Sequence, residues 1–228
     1  TFTGANNTFT VQYECKHDSV TLTDEQKAGS LTLTGNGTAV TSPSLPFGTS
    51  CTIKEADGSA QRAGYAVATA YTAGQVTVET ATPSPEVTVT NTYTRDLGRF
   101  SVTKKVAGDA GDKAPATYTF DYTCKADGKD PMTGPIVVGK GQSKESDGIP
   151  VGYSCSVKER VDKGQAGTAY VEGYTLDVTT GAAVTIAKGA VSNIDVTNTY
   201  TLNKGTFSVK KAVEGATFTD ADNSFTVE

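Results

Sequence analysis

The chain has 228 residues, of which 36% are hydrophobic and 20% charged, and its formal net charge is −5 at pH 7. That length suits two domains of ordinary size with buried cores. The scattered charge excludes the concentrated basic face of a nucleic-acid binder, and no apolar run approaches the length that spans a bilayer. With no Trp, one Met and one His, but 24 Gly and 10 Tyr alongside abundant Thr and Val, the composition favours pleated strands and tight turns. It predicts very little helix.

In chain order, the first strand is Thr8–Lys16 (TFTVQYECK), and it returns as Thr117–Lys125 (TYTFDYTCK), a shift of 109 positions. The segment 46–55 (PFGTSCTIKE) then matches 150–159 (PVGYSCSVKE), and 89–94 (VTNTYT) matches 196–201 (VTNTYT). A third copy opens at 205–211 (GTFSVKK), echoing 98–104 (GRFSVTK). Likewise Thr1-Phe2-Thr3 followed by Asn7 reappears as Thr217-Phe218-Thr219 followed by Asn223. Self-similarity of this kind predicts an array of like units. The expected units are 1–95, a repeat lacking its first strand, 98–202, a complete repeat, and 205–228, the opening strands of a third. The joins at 95–97 and 202–204 are about three residues long, too short for flexible tethers, so a fairly stiff rod is expected. An export signal or wall anchor is expected outside this segment, since Thr1 opens within a domain.

Period-2 alternation marks the strands of repeat two. Phe100, Val102, Lys104 and Val106 share one face. Tyr118, Phe120, Tyr122 and Cys124 share another, with Thr119, Asp121 and Thr123 expected towards solvent. Cys155, Val157 and Glu159 point inward from a third strand, and Ile194, Val196 and Asn198 from the last. Turn chemistry at Asp127-Gly128 and Asp147-Gly148 separates the elements. About seven strands per repeat make a two-sheet, all-β sandwich.

The four cysteines fall two per repeat, and only the pairings Cys15 with Cys51 and Cys124 with Cys155 respect the repeat. Loops of this length predict about 3 to 4 kcal/mol of stabilisation each from restricting the unfolded chain. An oxidising, extracytoplasmic setting follows. Free buried thiols are the alternative. Zinc is disfavoured, because no two cysteines are close in sequence and only His17 could join them.

Alternation also puts a Lys, a Glu and an Asn on inward faces of three strands, and buried charges need partners. Lys104 rather than Lys105 is the inward lysine, since repeat three aligns Lys211 with Lys104 and Ala212 with Lys105. A buried Lys104–Glu159 ion pair with Asn198 as hydrogen-bond partner, or a Lys104 reaching the sandwich edge, is consistent with these positions.

Taken together, Phe100-x-Val102-x-Lys104, Leu45-Pro46-x-Gly48 with Ile149-Pro150-x-Gly152, Val157-x-Glu159 with Gly173-Tyr174 downstream, and Val196-x-Asn198 resemble a known pattern. It is that of the Cna B-type, prealbumin-like Greek-key domains of Gram-positive surface adhesins and pili, closest to Cys-containing repeats of actinobacterial, including corynebacterial, surface proteins. The resemblance implies an intramolecular isopeptide cross-link, formed when Lys104 attacks the Asn198 carboxamide with help from Glu159. An apolar core disfavours both charged forms, leaving neutral Lys104 as nucleophile and protonated Glu159 to hydrogen-bond the Asn198 carbonyl oxygen. This is one self-reaction without turnover. The disulfides depart from the usual family pattern.

Repeat one holds Glu55 and Asn91 without its Lys, and Lys211 precedes any Glu and Asn of its own copy. The strand around Lys211 could therefore fill the vacant place in repeat one of another copy and build fibres. Truncation of a longer array explains the same incompleteness.

Other motifs carry little. Residues 108–113 (GDAGDK) lack the Gly spacing, Ser or Thr, and helix of a phosphate loop, and read as a turn. Residues 220–224 (DADNS) lack the Gly and distant Glu of a calcium loop, and His17 reads as a surface loop residue. No metal or cofactor is expected. The leading expectation is a structural spacer on a cell surface, in a parent protein anchored to the cell wall, with neighbouring repeats as its contacts. Direct adhesion to a host protein or glycan is the competing one, and an enzyme acting on substrates is not expected.

Overall fold

A computed structural model describes residues 2–212 and residue 214. The expected echo at Thr217, Phe218, Thr219 and Asn223, the 220–224 stretch, and much of the expected third repeat at 205–228 lie outside those residues. The first half of the chain forms strands β1 (Thr8–Lys16), β2 (Ala28–Thr34), β3 (Ser50–Glu55), β4 (Tyr65–Tyr71), β5 (Gln75–Thr77) and β6 (Val89–Arg95). The second forms β7 (Leu97–Gly108), β8 (Thr117–Lys125), β9 (Met132–Gly139), β10 (Ser143–Glu145), β11 (Ile149–Pro150), β12 (Ser154–Glu159), β13 (Tyr174–Thr180), β14 (Val184–Thr185) and β15 (Val191–Leu202). Among the described residues helix is confined to α1 (Asp24–Lys27), opened by a Thr23 and Gln26 capping box, and a 3-10 turn at Gly111–Lys113.

The first half pairs its strands in the orders β2-β1-β3-β5 and β4-β6, and the second in β10-β7-β15-β13 and β14-β12-β8-β9, with β11 against β7. These sets share no strand. In the second half the two sheets pack face to face. Phe100, Val102, Ile194 and Val196 from one meet Tyr118, Phe120, Cys124, Cys155 and Val157 from the other in a single cluster. Burying a side chain such as Phe100, Tyr118 or Phe120, each 0% exposed, contributes about 1.5 to 3 kcal/mol. The all-β sandwich expected from alternation is thus present.

The most informative pairing is parallel. Strand β15 runs beside β7 in the register Ile194 to Val102, Val196 to Lys104 and Asn198 to Val106, while β13 covers its other edge. The first and last strands of the repeat are therefore neighbours. Where β7 ends, Gly108 has φ +86°, and a Cβ there would sit 2.1 Å from the Tyr200 carbonyl oxygen, so only glycine lets the strands approach this closely.

One expectation fails within β8. Thr119 was placed towards solvent by alternation, yet it is 7% exposed. The chain after β12 folds back over it: the Thr119 amide donates to the Gly167 carbonyl and the Arg160 amide to the Thr119 carbonyl. Asp121 does stay exposed, gripping the Arg160 guanidinium through bonds of 2.7 and 2.9 Å.

Between β6 and β7 stands only Asp96. Its amide donates to the Gly64 carbonyl, its carbonyl accepts from the Val151 amide, and its carboxylate lies 2.9 Å from the Lys188 ammonium.

Candidate functional site

Lys104 on β7, Glu159 at the end of β12 and Asn198 on β15 are brought together in the core of the second sandwich. Lys104 and Asn198 are 0% exposed and Glu159 is 5% exposed. The Lys104 ammonium lies 3.0 Å from Glu159 Oε1 and 3.1 Å from Oε2. Asn198 Nδ2 donates to Glu159 Oε1 at 3.0 Å. The Lys104 ammonium also sits over the Tyr118 ring, 4.7 Å from its centroid, and 5.7 Å from that of Phe120. Both aromatic faces partly compensate its lost hydration.

Burial is the dominant influence on both ionisable groups. It pulls the Lys104 pKa below the ordinary lysine value, against the opposing pull of Glu159. It pushes the Glu159 carboxyl up, against Lys104 and the Asn198 amide. The two shifts converge, so the neutral amine and neutral acid lie closer in energy to the ion pair than they would in water.

The carboxamide is oriented differently from the sequence expectation. Its nitrogen faces Glu159, while Asn198 Oδ1, like the Tyr118 hydroxyl, is buried without a hydrogen-bond partner among the described residues. That orientation is the one an ionised Glu159 would select. An ionised carboxylate only accepts, so it attracts the NH₂ end of Asn198, and a protonated Glu159 would favour the other end.

The equivalent residues of the first half lie in a looser setting. Glu55 ends β3 at 6% exposure and accepts from Asn91 Nδ2 at 2.9 Å. Thr69 on β4 points its hydroxyl at both, 3.2 Å from Glu55 Oε2 and 2.7 Å from Asn91 Oδ1. No lysine or arginine forms an ion pair with Glu55 among the described residues. Lys211 is exposed and outside any strand. Thr69 escaped the sequence reading, although a signal existed. Aligning Gly64-Tyr65 with Gly173-Tyr174 sets Thr69 against Val178, and both residues pair with the Asn of the last strand.

Cys15 is bonded to Cys51 and Cys124 to Cys155, each bridging directly opposed residues of adjacent strands. His17 is half-buried. Its Nε2 lies 2.9 Å from the Phe47 carbonyl oxygen and its Nδ1 accepts from the Ser19 and Val20 amides, so the ring pins one loop to another. Of residues 108–113, Gly108 ends β7, Asp109 and Ala110 turn the chain, and Gly111–Lys113 form the 3-10 turn. Among the described residues no group of three or more His, Cys, Asp or Glu is arranged to hold a metal, and no helix is long and apolar enough to cross a membrane.

Among solved structures, a bacterial adhesin from Mobiluncus mulieris containing intramolecular disulfide, isopeptide and ester bond cross-links is 14% identical with a TM-score of 0.36, over 86% of this chain and 85% of that one. The major pilin from Streptococcus pyogenes is 16% identical with a TM-score of 0.37, over 86% of this chain and 91% of that one. At these values neither assigns a role to this chain or to any of its residues. No curated protein matches the chain. The model of the domain of unknown function DUF5979 matches residues 1–94 and again residues 100–201, so the chain belongs to that family.

Proposed function

We propose that the chain is a structural spacer segment of an extracellular bacterial surface protein or fibre, built from repeats at 1–95 and 98–202 with a third opening at 205–228. In the complete repeat Lys104, Glu159 and Asn198 close an isopeptide cross-link. The observation that carries this reading is the sealed Lys104–Glu159–Asn198 cluster joining the parallel first and last strands. Proton transfer from Lys104 to Glu159 leaves a neutral amine. With the carboxamide turned over, protonated Glu159 donates to Oδ1 and polarises the carbonyl. The Lys104 Nζ to Asn198 Cγ bond forms, the Cγ to Nδ2 bond breaks, and ammonia departs.

A bond there would carry tension from β7 straight into β15, so that a pull along the chain bypasses residues 105–197, including the Cys124–Cys155 pair. That is the behaviour a stalk requires. Direct binding of a host protein or glycan calls for converging groups that solvent can reach. Lys104, Glu159 and Asn198 converge where solvent does not reach, which suits a cross-link better than a binding site. An oxidising location outside the cytoplasm fits both disulfides. Intact-mass measurement with and without reductant tests the chemistry. The expected reduced chain lacks the mass of one ammonia and regains it in Lys104→Ala, whereas a full-mass wild-type chain overturns the cross-link.

A further inference from the structure

Two polar side-chain atoms of the second sandwich are enclosed without a hydrogen-bond partner among the described residues, the Tyr118 hydroxyl and Asn198 Oδ1. The first can donate and the second only accepts. They belong to one cluster. Tyr118 and Asn198 are both 0% exposed, and the Lys104 ammonium over the Tyr118 ring is held by Glu159, whose Oε1 accepts from Asn198 Nδ2. Tyr200 lies between them. Its hydroxyl and that of Tyr118 are near enough to shift one another's ionisation, and Tyr200 senses the Asn198 carboxamide in the same way.

The Tyr200 proton is already committed, since that hydroxyl donates to the Ala169 carbonyl at 2.6 Å. Tyr93, its equivalent in the first half, donates likewise to the Ala60 carbonyl at 2.7 Å, so the bond belongs to the architecture of the repeat. Tyr118 has no such duty. Its counterpart at the same place of β1 is Phe9, which carries the ring without the oxygen. The ring is enough to face the Lys104 ammonium. A hydroxyl left buried and unpaired costs stability that a phenylalanine would keep. A destabilising oxygen, at a place where the other repeat has phenylalanine, points to a use beyond packing.

We propose that the Tyr118 hydroxyl donates a hydrogen bond to the carboxamide oxygen of Asn198 as Lys104 attacks, sharing with Glu159 the negative charge that gathers on Oδ1. This role rests on the cross-link proposed above and adds a residue to it. When the carboxamide turns over, Oδ1 takes the place that Nδ2 holds now, beside Glu159. As Lys104 Nζ bonds to Asn198 Cγ, the carbonyl electrons move onto Oδ1, and the Glu159 and Tyr118 protons both face that charge. As the Cγ to Nδ2 bond breaks the electrons return, and the hydrogen that the amine gives up on becoming an amide leaves with Nδ2 as ammonia. Tyr118 keeps its own proton throughout, because burial raises its pKa well above the ordinary tyrosine value.

The test follows the intact mass of the newly synthesised full chain over time, for the wild type and for Tyr118→Phe, with Lys104→Ala as the chain that does not react. Tyr118→Phe is expected to lose its one ammonia about 100-fold more slowly than the wild type, the loss typical of removing one donor to a developing oxyanion. A second measurement separates the chemistry from folding. In an Asn198→Ala chain, which forms no cross-link, adding Tyr118→Phe should leave the unfolding midpoint of the second sandwich unchanged or higher. Ammonia loss at the wild-type rate in Tyr118→Phe overturns the role of Tyr118 and leaves the cross-link standing. A lower midpoint in the Asn198→Ala background also overturns it, because the hydroxyl then has a structural partner. A wild-type chain that never loses ammonia overturns the cross-link itself, and this role with it.

Discussion

The two halves of this chain share their strand motifs, their cysteine pair and their Glu and Asn, yet they bury them to different depths. In the second half both sheets feed one core. In the first, the main apolar cluster gathers Tyr13, Cys15, Leu22 and Cys51 with Leu31, Leu45, Ile53 and Val76, and nothing from β4 or β6 enters it. The parallel strand β7 makes the difference, because it brings Phe100 and Val102 across and closes the edge of β15. One strand thus supplies both the buried Lys104 and the cover that desolvates it, and desolvation favours the neutral amine. In the first half, where no such strand lies among the described residues, the Glu and Asn sit in a more open setting, with Thr69 bonded to both.

The contrast is most severely tested by Lys104→Met, which preserves the volume but leaves Glu159 buried without its cation. Breaking a buried pair costs about 3 to 5 kcal/mol, and the loss should appear in denaturant unfolding of the second sandwich alone. The pH dependence has a defined sign. Removing Lys104 removes the main influence that lowers the Glu159 pKa and leaves burial to raise it. Glu159 then binds its proton more tightly folded than unfolded. The variant should be most stable below the ordinary carboxylate pKa and lose stability as pH rises through the elevated folded value. A variant whose stability is flat across that window would contradict the sealed core.

Removing the disulfides probes what the two halves have in common. The double substitutions Cys15→Ala with Cys51→Ala, and Cys124→Ala with Cys155→Ala, open loops closed across sequence separations of 36 and 31 respectively. Each should cost about 3 to 4 kcal/mol on chain-entropy grounds. If the isopeptide already restrains the second sandwich, its measured loss will be the smaller of the two, because Cys124 and Cys155 both lie inside the segment that bond encloses.

Smaller effects resolve the site itself. Thr69→Val copies Val178 into the first half and should cost about 1 kcal/mol by stripping a hydrogen bond from Glu55 and Asn91, read as a shift of the unfolding midpoint. Smaller still in energy, but specific in position, is amide exchange: the outward edge of β6 should exchange faster than the β15 amides bonded to β7. Equal protection at both edges would show that another segment already covers β6.

Much of the site was readable because strand alternation has a strict period. Once Val102, Val157 and Val196 are assigned inward, Lys104, Glu159 and Asn198 follow two residues later, and the structure places all three in the same core. The failures have physical causes too. Thr119 obeys its strand's phase, but the 160–167 segment lies over it, and nothing in β8 announces that cover. The carboxamide orientation depends on whether Glu159 is charged, which local sequence does not encode. Thr69 looked like an ordinary strand threonine until its cross-strand partner was known.

The sequence alone therefore determined the repeat, the phase of four strands of the second repeat, the cysteine pairing that respects each unit and the inward direction of Lys104, Glu159 and Asn198. These are short-range properties: side-chain direction follows from the two-residue period, and the repeat follows from self-comparison. Only the tertiary structure decided that β7 lies parallel beside β15, that Lys104 is sealed against Tyr118 and Phe120, and that Asn91 stays half-open. Those outcomes depend on which distant strand covers a given face and edge, and alternation fixes where a side chain points without saying what will meet it there.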